Sequence, residues 1–151
     1  MSTITVREVL TLPVLRGTFV VAGQRGLSRA VTGVNVMEVP DIESFVKGGE
    51  LLLTTAYPLR EHPEDLSTLV RTLSRLGLAG LAVKTGRYLE KLPDEALAVA
   101  NELDFPVMLV AEHTSFNEVI GAVLAVVLTE YGAEPAGAEA IRERLTGVAL
   151  A

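Results

Sequence analysis

The sequence contains no cysteine and no tryptophan, and only 5% of its residues are aromatic. Without thiols there is no disulfide framework, no thiolate metal site and no cysteine nucleophile, which fits a cytoplasmic protein. With so few rings, the core has to be built from Leu, Val and Ala. No basic cluster is present either, and the net charge is -6. Phosphate neutralisation dominates nucleic-acid affinity, so this chain is a poor candidate for contacting DNA by itself. The start, "MSTITVREVL", lacks the cationic and apolar regions of a secretory signal. The longest nearly uncharged apolar run, Val119 to Leu128, is too short to span a bilayer. There is no G-x-S-x-G and no H-E-x-x-H, and the only histidines, His62 and His113, stand far apart. No metal and no cofactor is expected, and the chain is not expected to be an enzyme.

What is present is a strongly apolar chain of 151 residues, 49% hydrophobic, long enough for one domain with a real core. Its charge is uneven. Residues 1–29 carry Arg7, Arg16, Arg25 and Arg29 against Glu8 alone, whereas the stretch from 88 onward is strongly acidic. Residues 5–12 read as a short helix, with Thr5 and Glu8 spaced as in a capping box. "TFVVAG" (18–23) and the β-branched "AVTGVNVMEV" (30–39) read as strands. Pro40 stops the second, and "DIESFVKG" (41–48) follows as a helical turn. From there the pattern is regular. "ELLLTTA", "GLAVKTG" and "PVMLVA" are unbroken apolar strands, each followed by a helical pattern over 63–77, 93–104 and 115–132.

Alternating strands and helices with short connections predict parallel βαβ units. Strands that are apolar throughout are strands covered on both faces. The expected fold is therefore α/β: three layers, a mixed sheet with a parallel core, and helices on both faces. One folded domain is expected over residues 1–131, a linker over 132–140, and a helical extension over 141–151.

Parallel strands deliver their carboxyl ends to one edge, where such sheets bind ligands. Each strand here is apolar inside and polar at its exit. The exits are Thr54-Thr55-Ala56, Lys84-Thr85-Gly86-Arg87 and Glu112-His113-Thr114. If residues 30–39 join in the same sense, Glu38 and Asp41 reach that edge too. The candidate ligand-binding residues are thus Glu38, Asp41, Thr54, Thr55, Lys84, Thr85, Gly86, Arg87 and His113. Hydroxyls there can donate and accept, and Lys84 or Arg87 can hold an anionic group. The competing reading is local. A strand must become polar to leave the core, Thr favours strands, and Asp41 is also a natural helix cap. "KGGE" lacks the spacing of either nucleotide-binding glycine loop.

"VNVMEVPDIESFVKGGELLLTTAYPL", "GLAGLAVKTGRYLEKLPDEALAVANELDFPVMLV" and "SFNEVIGAV" together resemble, in this order, the N-terminal domain of PucR-type transcriptional regulators, the purine catabolism regulator family. The likeness covers roughly residues 5–130. Two positions depart from the family pattern: Ala56 stands where glycine usually follows the paired threonines, and Phe45 where tryptophan is typical. The resemblance implies a sensor for a small-molecule effector, with DNA bound only through a separate helix-turn-helix domain that this sequence does not show.

Two other readings remain open at this point. The domain could be a dimerisation module without a small ligand. Residues Val119 to Leu128 are apolar nearly all round a helix, which implies burial on more than one side, and a homodimer is the simplest cover. It could also be a nucleotide-binding accessory domain of an enzyme, with phosphate held at a helix N-terminus after "LTTA" or "VKTG".

Overall fold

The computed structural model describes residues 3–130. Five strands form one sheet: β1 (Phe19–Ala22), β2 (Gly33–Val36), β3 (Glu50–Thr54), β4 (Gly80–Lys84) and β5 (Val107–Val110), in the order β1-β5-β4-β3-β2. β2, β3, β4 and β5 run parallel, each hydrogen-bonded to the next, and β1 closes the far edge antiparallel to β5. The helices are α1 (Val6–Val9), α2 (Leu66–Arg75), α3 (Asp94–Glu102) and α4 (Phe116–Glu130). This is the α/β fold expected, with a mixed sheet and a parallel core.

The apolar strands split cleanly between two cores because successive side chains point to opposite faces. Leu52, Leu81, Val83 and Val107 meet Leu66, Val70 and Leu73 of α2 and Ala96, Val99 and Ala100 of α3 on one face. Leu51, Leu53, Ala82, Met108 and Val110 meet Val6 and Val9 of α1 and Val119, Val123 and Val127 of α4 on the other. With both faces covered, β3 is apolar between its first residue, Glu50, and its last, Thr54. One consequence places the site. The chain leaving β4 turns to α3 on the first face, while the chain leaving the adjacent β5 turns to α4 on the second. The crevice between these two exits is a topological switch point.

The opposite edge of the sheet is tied by Arg29. Its guanidinium donates to the carbonyls of Leu78 (3.1 Å), Leu103 (3.2 Å) and Asp104 (3.0 Å) and to Ser74 Oγ (3.3 Å). It also lies 5.3 Å from the centre of the Phe105 ring. These carbonyls close the ends of α2 and α3, where helix dipoles leave partial negative charge. Burial pulls the Arg29 pKa below the ordinary arginine value, and the Asp104 charge partly opposes that. Just before it, the backbone packs closely on the turn after α3. A Cβ on Gly23 (φ +72°) would sit 2.0 Å from the Phe105 carbonyl oxygen, and one on Gly26 would sit 1.8 Å from that of Asp104.

Several elements are shorter than their sequence patterns. The first helix spans only Val6–Val9, with Thr5 Oγ1 accepting from the Glu8 N–H at 3.3 Å. Residues 30–39 contribute only Gly33–Val36 as a strand; one more bond, from the Met37 N–H to the Leu53 carbonyl at 3.2 Å, follows before the chain turns at Pro40. "DIESFVKG" forms a single 3-10 turn, Ile42–Ser44. The helix expected over 63–77 begins as a 3-10 turn, Pro63–Asp65, and α2 ends at Arg75, so Leu76 falls off the buried stripe and is 39% exposed.

α4 carries two apolar stripes. Val119, Val123 and Val127 are buried, and Phe116, Ile120 and Val126 pack beside them. Leu124, Ala125 and Leu128 are half-exposed on the remaining face, beside exposed Gly121. The expected linker and helical extension lie outside the described residues. Among the described residues, no helix is long and apolar enough to cross a membrane.

Candidate functional site

β2 joins in the same sense as β3, so four strand exits stand in a row. Their order along the edge is Glu38, then Thr54-Thr55, then Lys84 to Arg87, then Glu112 to Thr114. The sequence-predicted residues do share one edge, but they are not equally available there.

Glu38, Thr54 and Thr55 are engaged with one another. Glu38 Oε1 accepts from Thr54 Oγ1 at 2.8 Å and from the Thr55 N–H at 2.7 Å, and Oε2 accepts from Thr55 Oγ1. Thr54 is buried, and its hydroxyl also accepts from the Ala56 N–H at 3.0 Å. The paired hydroxyls that end β3 therefore anchor the exit of β2, and the amides of that turn are occupied. This turn offers no N–H nest to a phosphate.

Lys84 reaches across the switch point. Its ammonium donates to the Thr114 carbonyl and lies 4.5 Å from the centre of the Phe116 ring. It is half-buried, and no carboxylate pairs with it among the described residues, where the ion pairs are His62–Glu64 and Arg71–Glu102. Thr85 is half-buried, with no hydrogen-bond partner among the described residues. The Gly86 N–H donates to the Leu89 carbonyl at 2.7 Å, so this amide is closed to a ligand. Arg87 is exposed, 5.6 Å from the Tyr88 ring, which meets Tyr57 edge-on at 5.0 Å. Asp41 is exposed beside the 3-10 turn it precedes, and its side chain makes no cap. His113 is exposed beyond β5, while His62 pairs with Glu64 in a separate exposed turn. Among the described residues, no group of three or more His, Cys, Asp and Glu could hold a metal ion.

Two recesses flank this row. One, of about 380 Å³, lies between the loops after β2 and β3 and the start of α2, lined by Ile42, Glu43, Leu59, Asp65 and Leu69 among others. The second, of about 430 Å³, lies between the approach to β1 and the exit of β5, and includes Arg16, His113, Thr114 and Glu118. Arg16 was not among the sequence candidates. It reaches this edge because β1 is antiparallel, so its amino end lies where its neighbours' carboxyl ends lie.

The family model for the purine catabolism regulatory protein-like family matches residues 8–127. The chain belongs to that family. It is 40% identical over 121 residues to the purine catabolism regulatory protein of Bacillus subtilis (strain 168), covering 80% of this chain and 23% of that protein. It is 29% identical over 126 residues to the transcriptional activator PmfR of Paenarthrobacter nicotinovorans, covering 83% of this chain and 27% of that protein. The chain thus spans about a quarter of the length of these curated relatives. No solved structure gives a significant match.

Of the two positions set apart in the sequence, Ala56 and Phe45, the first has a specific structural setting. Ala56 follows the paired threonines with φ 68° and is fully buried. The left-handed conformation costs a residue with a Cβ about 1–2 kcal/mol, which glycine avoids. Ala56→Gly relieves that strain but loses a buried methyl and gains unfolded-state entropy, so chemical denaturation should find it within about 1 kcal/mol of the parent. Ala56→Val, β-branched at positive φ in a closed space, should lose about 2 kcal/mol or more.

Proposed function

We propose that this member of the PucR family is the ligand-sensing regulatory part of a transcriptional regulator, binding a small polar metabolite at the carboxyl edge of its sheet. The observation that carries this reading is Lys84: a half-buried ammonium at the switch point, beside the start of α4, that forms no ion pair among the described residues. An anionic group on the ligand supplies the missing charge, with Thr85 and Arg87 at hand for further hydrogen bonds. The names of the relatives suggest a purine breakdown product as effector, and an amino acid or related polar compound fits the same groups. In this reading the protein is cytoplasmic and is not an enzyme. It meets DNA only through another domain. Binding shifts a conformational or assembly equilibrium to the extent that the two states differ in affinity.

Titration calorimetry of the purified chain against a panel of such metabolites tests the reading. Lys84→Met should weaken binding of an anionic hit by about tenfold or more, the loss of one charge-assisted contact. Binding untouched by both Lys84→Met and Arg87→Ala would remove the site from this crevice.

The second stripe of α4 favours an additional reading, homodimerisation. Leu124 and Leu128 are half-exposed leucines on a helix whose other face is already covered. Leu124→Glu should shift sedimentation toward monomer without unfolding the chain. A parent protein that stays monomeric at high concentration would dispose of the dimer.

A further inference from the structure

The recess between the approach to β1 and the exit of β5 has features that strand exits alone do not require. Arg16 and His113 line it, and it sits at the amino end of α4, where first-turn N–H groups lack intrahelical partners. Ser115 Oγ accepts one of them, from Glu118, at 3.4 Å. Positive charge and helix dipole therefore point into the same space, and among its lining residues only the Glu118 carboxylate is negative. Arg16 and Glu118 line the recess without forming an ion pair with each other.

A second observation is independent of the helix end. Thr114 is 5% exposed, lines the recess, and has no side-chain hydrogen bond among the described residues. Its carbonyl is taken by Lys84 and its N–H by the Ala111 carbonyl, which fixes the residue in place while the hydroxyl is left over. The hydroxyl is not sealed from solvent, since the buried unpartnered side-chain oxygens among the described residues are those of Thr18 and Ser67; it is free to exchange water for a ligand oxygen. Val14 and Pro13 supply an apolar wall.

We infer that this recess is the effector subsite, and that it takes a small carboxylate carrying an N–H donor group, as in an amino acid or an amide-bearing acid. Arg16 and the Thr114 hydroxyl hold the carboxylate at the start of α4, with His113 at the rim. Glu118 accepts from the N–H end. The inference rests on the sensor reading above and makes it specific, because it adds to Lys84 a second anion contact on the β1/β5 side, next to the Thr114 carbonyl that Lys84 holds.

The test is amide NMR of the full chain titrated with asparagine, N-acetylglycine and acetamide, on the parent and on Arg16→Gln, Thr114→Val and Lys84→Met. Saturable shifts centred on Gly17, Thr114 and Ser115 are expected with the two carboxylates and not with acetamide. Arg16→Gln should weaken them about tenfold. Arg16 is exposed, so this variant should keep the parent spectrum elsewhere, whereas Thr114→Val tests the hydroxyl at constant shape. Saturable shifts confined to Lys84, Thr85 and Arg87, lost in Lys84→Met and retained in Arg16→Gln, would overturn the subsite and leave the sensor reading standing. No saturable shift anywhere would overturn the subsite together with the small-anion reading.

Discussion

Arg29→Ala should destabilise the domain by about 3–4 kcal/mol, because hydrogen bonds to a charged donor contribute about 1.5–3 kcal/mol each and several are lost together. The guanidinium contacts carbonyls that end two different helices, so removing it leaves the Leu78, Leu103 and Asp104 oxygens to find water in a partly closed space. Packing on Phe105 is lost as well. Arg29→Lys should recover less than half of the effect. An ammonium cannot present the planar fork that reaches separate acceptors at once. Urea denaturation followed by circular dichroism measures both variants. A loss under 1 kcal/mol for the alanine variant would mean that these bonds merely replace equivalent ones to water.

Glu38→Ala should cost about 3 kcal/mol, since it strands the Thr54 hydroxyl and the Thr55 N–H and hydroxyl without their acceptor. The buried position of Thr54 makes that loss expensive. Glu38→Gln should fall between, because one carboxylate oxygen becomes an NH₂ group facing a donor. The local signature is separable from the global one: hydrogen exchange should accelerate at Thr55 and Ala56 before it does in β4. A double-mutant cycle with Thr55→Val should return a coupling of about 1 kcal/mol or more, the sign that the pair acts as one unit. Additive losses would show that Glu38 and Thr55 act separately.

The comparison between sequence and structure turns on which interactions are local. β3, β4 and β5 were legible because burial on both faces writes itself as an unbroken apolar run, and the gathering of their exits followed from parallel direction alone. An antiparallel or mixed contribution from the first part of the chain was expected, but the pairing of β1 with β5 was not legible, because it comes from across the chain and no hairpin announces it. Arg16 was missed for that reason. Arg29 was missed for another: its acceptors lie between 45 and 75 residues away, beyond any local pattern. At the site, sequence brought Glu38, Thr54 and Thr55 to one place. In the fold their hydrogen-bonding capacity is already spent on each other, and the free capacity lies with Lys84, Thr85, Arg87 and the recess at Thr114.

α4 begins at the switch point and runs for 15 residues, about 22 Å of stiff rod at the usual rise. Its inner stripe, Val119, Val123 and Val127, is seated on the sheet along most of that length. A rigid tilt of a few degrees about its start would carry the tip at Glu130 by roughly 2 Å. Under the proposed binding at this crevice, the helix gives occupancy a way to be felt at a distance without rearrangement of the sheet.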